Sequence, residues 1–193
     1  MLPDGVLSTT PVTAGFLSPR DAPPQPLVDY ELGGVGISDP SQGLMLKSWR
    51  MRWVDGEFIA DAPAVAPTVL LTRAGVTEFS FTFDQNMKPF ITWVEAAGAF
   101  YYWYDTTVNA YRTVALSSDV ITPKCSLDDK RINQLVRSDI ILAYIRAGAL
   151  CYRQQRDRFG VEYTLKADAG GYLRRVGMNN VWRFQFEIGQ TPT

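Results

Sequence analysis

The residues able to do chemistry in this chain are few in kind. Its 193 residues include no histidine. That removes Ser-His-Asp and Cys-His nucleophilic machinery, His metal sites and His pH switching together. Acid–base chemistry would have to rest on carboxylates alone, which need two groups held across a substrate. Asp128-Asp129, beside Lys130-Arg131, is the densest acidic site. Adjacent side chains seldom converge on one atom, so a turn with local ion pairs is the favoured reading, and no carboxylate pair stands out. Cys125 and Cys151 form no CxxC motif. They match neither a zinc ribbon nor a thioredoxin pattern and read as small buried apolar residues. Gly33-Gly34-Val35-Gly36 misses both phosphate-loop patterns. The expectation is no catalytic residue, no metal site, no cofactor and no enzymatic activity.

Two other strings invite a binding role. Phe100-Tyr101-Tyr102-Trp103-Tyr104-Asp105 would, as a strand, set Phe100, Tyr102 and Tyr104 on one face and Tyr101 and Trp103 on the other. It is either core and subunit interface, the favoured reading, or an aromatic platform for a sugar or a base. Tyr152-Arg153-Gln154-Gln155-Arg156-Asp157-Arg158-Phe159 is a basic cluster. Residues 125–193 carry 11 Lys/Arg against 7 Asp/Glu, hence +4; residues 1–124 carry 8 against 13, hence −5. That dipole suits phosphate contact or docking between subunits. The formal net charge of −1 and the lack of a nucleic-acid motif favour subunit docking, with no specific nucleic acid. Arg outnumbers Lys 14 to 5, which suits bidentate, half-buried pairing.

The elements that must position these residues are strands. Period-2 alternation dominates from Leu44 on. Trp49, Met51 and Trp53 share a face; Asp55-Gly56 marks a two-residue hairpin; Phe79, Phe81 and Phe83 point one way. Apolar runs such as Ile140–Ile145 are strand-sized and far below the ~20 residues of a membrane helix. No signal peptide is visible, so the expectation is a protein made in a reducing cytoplasm with no membrane partner. Helix signals are weak, the best being Asp129–Leu135. Nine of the twelve prolines fall in the first 67 residues, densest over Pro11–Pro26. Residues 1–43 therefore read as an extended arm with an apolar island at Leu27, Val28 and Tyr30, and residues 44–193 as the β domain.

Inside that domain lies a degenerate repeat, near 79–116 and 130–166. Each copy reads as an apolar strand, an Ala-Gly-Ala turn (Ala97-Gly98-Ala99; Ala147-Gly148-Ala149), an aromatic strand, an Asp-containing turn (Asp105; Asp157) and a third strand. The class expected is all-β: antiparallel meanders, either propeller-blade-like or a sandwich, behind an extended arm. Two or three meanders do not close a propeller of about 4–8 blades. The open edges and faces would then be covered by copies of the chain or by another protein.

Phe83-Asp84-Gln85-Asn86-Met87-Lys88-Pro89, Tyr102-Trp103-Tyr104-Asp105-Thr106-Thr107-Val108, Leu127-Asp128-Asp129-Lys130-Arg131, Ser138-Asp139-Ile140-Ile141-Leu142-Ala143-Tyr144 and Tyr152–Phe159 stand out together. As a set they resemble structural proteins of tailed bacteriophages, especially short-tailed ones. The resemblance spans roughly residues 30–188 and carries no active site. It implies a virion tail or neck component, a ring- or nozzle-associated subunit or a fibre adaptor, in a ring with copies of itself and bound to other tail proteins. The interface residues expected are Leu27, Val28 and Tyr30 in the arm, the aromatics Tyr101, Trp103 and Tyr104, and Arg153, Arg156 and Arg158. The alternative is a carbohydrate-binding module that reads a host surface glycan through Trp and Tyr side chains, Trp103 among them.

Overall fold

In the computed structural model, residues 30–35, 48–62, 65–84, 88–127, 139–178 and 184–190 are described. They form fourteen antiparallel strands and one short 3-10 turn, so the protein is all-β. The chain divides into two compact units, residues 1–77 and 78–193.

The first unit is one four-stranded meander of β1 (Tyr30–Val35), β2 (Ser48–Val54), β3 (Glu57–Ala62) and β4 (Val65–Thr72), paired in chain order. Asp55-Gly56 makes the expected hairpin: both have positive φ (51° and 84°), and Val54 pairs with Glu57 across it. A turn with two positive-φ residues matches the twist of the strands it joins. Met51 and Phe58 are fully buried in this unit. One of its two edge strands, β4, contains Pro67, which lacks a backbone donor and is tolerated at a sheet edge.

β1 lies inside the stretch read as an arm, where it pairs with β2 from Tyr30↔Trp53 to Val35↔Ser48. Leu27, Val28, the boundary at residue 43 and the weak helix at 129–135 lie outside the described residues, as does the side chain of Tyr30.

The second unit holds two four-stranded meanders and a hairpin. The first meander is β5 (Glu78–Phe83), β6 (Pro89–Glu95), β7 (Gly98–Asp105) and β8 (Ala110–Ala115). The second is β9 (Val120–Leu127), β10 (Ile140–Arg146), β11 (Ala149–Gln154) and β12 (Tyr163–Lys166). The hairpin is β13 (Tyr172–Met178) with β14 (Phe184–Gly189). The repeated sequence thus sits in two meanders of the same strand order, and the second begins with β9, upstream of residue 130. The turns are offset by one residue: Ala96-Ala97 joins β6 to β7, whereas Ala147-Gly148, both at positive φ, joins β10 to β11.

The first strands of these three pieces run side by side. Ser80 Oγ on β5 accepts from the Cys125 backbone N–H on β9 (3.1 Å), and Lys124 on β9 pairs with Glu78 on β5. On the other side of β9, Thr122 Oγ1 accepts from the Leu173 N–H on β13 (2.9 Å). Thr122 is free to do this because β9 bulges there. Pro123 supplies no N–H, Thr122 turns to φ 49°, and the β9–β10 register shifts between Ala143 and Ile145.

Strand β10 is covered on both faces. Ala143, Ile145 and Leu150 pack with Leu173 and Val176 of the hairpin, flanked by Tyr152, Phe184, Phe186 and Ile188. The alternate residues Leu142 and Tyr144 are also fully buried. Burial on both faces is why Ile140–Ile145 reads as an unbroken apolar run rather than an alternation.

Candidate functional site

The basic cluster and the aromatic string, widely separated in sequence, meet in one place. After β11 the chain makes a single 3-10 turn over Gln155–Asp157, then two left-handed residues, Arg158 (φ 52°) and Phe159 (φ 58°). Non-glycine residues rarely take that conformation, and two in a row need outside support. Hydrogen bonds supply it: Arg158 N–H to Gln155 O (2.7 Å), Phe159 N–H to Gln154 O (2.9 Å), and Arg153 Nη1 to the Phe159 carbonyl (2.9 Å).

The turn drives the Phe159 side chain into the first meander. Phe159 is fully buried, with ring centroids 5.0 Å from Phe90, 5.3 Å from Tyr101 and 5.2 Å, edge-on, from Trp103. Tyr101 and Trp103, expected at a subunit interface or beneath a sugar, are placed in this internal core. Their alternation along β7 is regular, with Ala99, Tyr101, Trp103 and Asp105 buried. Burial pushes the Tyr101 phenol up, partly offset by the nearby Arg153 guanidinium.

Around Phe159, the side chains of Gln155, Arg156 and Arg158 grip three buried carboxylates. Gln155 Nε2 donates to Asp84 Oδ2 (3.4 Å), and Arg156 Nε donates to Asp139. Arg158 Nη2 donates to Asp105 Oδ2 (2.7 Å), shared with Arg112 Nη1 (3.2 Å). The other oxygen, Oδ1, accepts from the Thr107 hydroxyl (2.7 Å) and backbone N–H (3.0 Å). With hydrogen bonds from Thr107 leading and Arg158 assisting, the Asp105 carboxyl falls to about 2 although its burial works the other way.

Arg153 belongs to a second network. The Tyr144 hydroxyl donates to Glu162 Oε2 (2.6 Å) and accepts from Arg153 Nε (2.8 Å). Arg146 Nη1 donates to Glu162 Oε1 (2.6 Å), and Arg146 Nε reaches Asp119 (3.1 Å). Burial pushes the Tyr144 phenol well up, and the bond to Glu162 adds to the rise. Glu162 is burdened by burial too, yet its bonds to Tyr144 and Arg146 hold it below its usual value.

All three arginines expected at an interface therefore make intramolecular contacts. Arg153 is mostly buried, whereas Arg156 and Arg158 leave more than half of their side chains exposed (58% and 52%) and so still present a cationic rim. Tyr104 is half-buried: its ring stands edge-on to Tyr111 (5.0 Å), Lys88 Nζ lies 4.8 Å from its centroid, and its hydroxyl bonds to Asn109. Tyr111 in turn stacks flat on Tyr102 (4.8 Å, 4°), so these tyrosines face one another in a cross-strand ladder.

Sequence reasoning missed Phe159, Asp105 and Tyr144 as organising residues. The available signals were one large apolar residue closing a polar run, and an Asp recurring at the end of both aromatic strands. Cys125 and Cys151 are buried free thiols as expected, and burial takes Cys125 up to about 12.

Among the described residues, no cluster of three or more His, Cys, Asp or Glu could hold a metal ion, and no helix is long and apolar enough to cross a membrane. What the arrangement does is immobilise: the buried carboxylates of Asp84, Asp139 and Asp105 each accept from a side chain of the turn. The fold and site define an antiparallel meander protein whose polar chemistry locks one sheet to the next. No protein-family model, curated protein or solved structure matches the chain.

Proposed function

We propose that this chain is a non-enzymatic structural subunit of a bacteriophage tail, resident in the virion after synthesis in the host cytoplasm, that assembles with copies of itself and with other tail proteins. One observation carries the reading. Each four-stranded sheet ends in an outer strand, β4, β8 or β12, paired on one side only among the described residues, and all three expose large apolar side chains at or beside that edge: Val69, Tyr111, and Val161, Tyr163 and Leu165. Open, partly apolar strand edges are a liability for a free monomer and a ready surface for a subunit.

Two further observations support it. The buried carboxylates are tied into structural ion pairs at Asp105 and Asp139 and into a hydrogen bond with Gln155 at Asp84, as a scaffold needs. The two meanders and the hairpin fan out from adjacent first strands, as blades do, yet fall short of the about 4–8 blades of a closed propeller.

The test is the place of the chain in a reconstruction of an intact particle, backed by mass spectrometry of purified virions. Density for its meanders in the tail or neck is the expected result; absence from the particle overturns the reading. The role of the arm is tested by removing residues 1–29, which spares β1. A shortened chain that assembles normally takes the arm out of the interface.

A further inference from the structure

The three outer strands are not alike. β4 carries Pro67, and on β8 Arg112 reaches back to Asp105. Prolines and charges are common ways of blunting an edge against pairing. β12 has no proline, and every one of its residues is exposed. Large apolar residues alternate through it and the residues before it: Val161 is 46% exposed, Tyr163 36% and Leu165 52%. Its charges are one of each sign, Glu162 just before the strand and Lys166 at its end.

Building on the assembly reading above, we propose that β12 is a self-pairing edge, where two copies of this chain join antiparallel about a two-fold axis at Thr164. In that register Thr164 meets Thr164 of the second copy, Tyr163 meets Leu165, Glu162 meets Lys166 and Val161 meets Ala167. Apolar residues face apolar ones, hydroxyl faces hydroxyl and the charges are opposite, which is what favours cross-strand pairs. A slip by one residue sets Glu162 against Leu165 and Val161 against Lys166 and loses every match, so the sequence specifies the register as well as the contact. Glu162 is held in place from inside by Tyr144 and Arg146. Identical patches on both copies make the contact isologous and self-closing, so it yields a two-fold pair rather than a fibre.

Sedimentation velocity of the full chain over a concentration series tests this. The wild type is expected to show a concentration-dependent dimer. Leu165→Lys places lysines on both sides of the axis next to Lys166, and weakens self-association by roughly tenfold or more; Val161→Lys acts in the same direction. Ile121→Lys, at an exposed apolar residue on β9, leaves association unchanged. Circular dichroism and the thermal midpoint verify that each variant is folded. A wild type that stays monomeric throughout overturns the proposal, as does an association unmoved by both Leu165→Lys and Val161→Lys, or one equally weakened by Ile121→Lys. An oligomer indifferent to β12 would sink this contact while leaving the tail role standing, because that role is decided by the particle.

Discussion

The two meanders of the second unit share a strand order and a sequence pattern, but they have diverged at the turn after the aromatic strand. In the first, the turn closes on itself: Asp105, at the end of β7, caps it by accepting from Thr107. In the second, the corresponding stretch reaches outward. There the Asp157 carboxylate accepts from the Tyr163 hydroxyl (2.8 Å), while Arg158 and Phe159 extend to the other meander. One copy has become a socket lined by Phe90, Tyr101, Trp103 and Asp105; the other has become the plug. Repeated units need a reason to dock in one orientation, and this asymmetry supplies it. Burial of Phe159 provides the affinity, and the carboxylates at its rim fix the pose.

Emptying the socket should have the largest effect. Phe159→Ala removes a fully buried ring from among three aromatics and is expected to cost about 3–5 kcal/mol in denaturant unfolding, within the usual range for buried Phe→Ala. A loss below about 1 kcal/mol would mean the meanders are held together elsewhere.

Next in size is Tyr144→Phe. It deletes the hydroxyl that bridges Arg153 and Glu162, leaving both partners short of a bond, and should cost about 1–3 kcal/mol by the same measurement.

The rim is probed by pH. The Asp105 carboxyl titrates at 3.8 when free and at about 2 in the fold. A lowered folded value means the ionised form is the one the fold prefers. Its contribution is complete above about pH 4 and is lost as pH falls toward 2. Asp105→Asn should therefore be less stable near neutrality and should flatten the wild-type decline between pH 4 and 2. An acid unfolding curve of unchanged slope would remove Asp105 from the lock.

The smallest effect is expected at Arg156→Ala. Its side chain is more than half exposed, and pairs of that kind contribute about 0–1 kcal/mol. A larger loss would show that the rim, rather than Phe159, carries the docking.

Much of the fold was legible in the residues. Asp55-Gly56 specifies its hairpin locally, since its backbone angles suit few other turns. The alternation of Phe79, Phe81 and Phe83, and of Tyr101 with Trp103, follows from the period of a strand. The same period left open which face of β7 is inside, and so Tyr101 and Trp103 could be read as surface. The site was less legible. Nothing near Phe159 in sequence announces that it belongs with Phe90, 69 positions earlier, and the cluster Arg153–Arg158 reads as a surface for docking another subunit until its carboxylate partners are brought to it.

By itself the sequence determined the class, the strands, the recurrence of the meander and the exclusion of histidine chemistry, because each depends on residue type, spacing or neighbours a few positions away. The tertiary structure alone decided which aromatics are core, which arginines are engaged inside the unit, and which strand edge is left open. Those outcomes rest on contacts between residues far apart in the chain, where burial and ion pairing are settled by what the other sheet presents and not by any local preference.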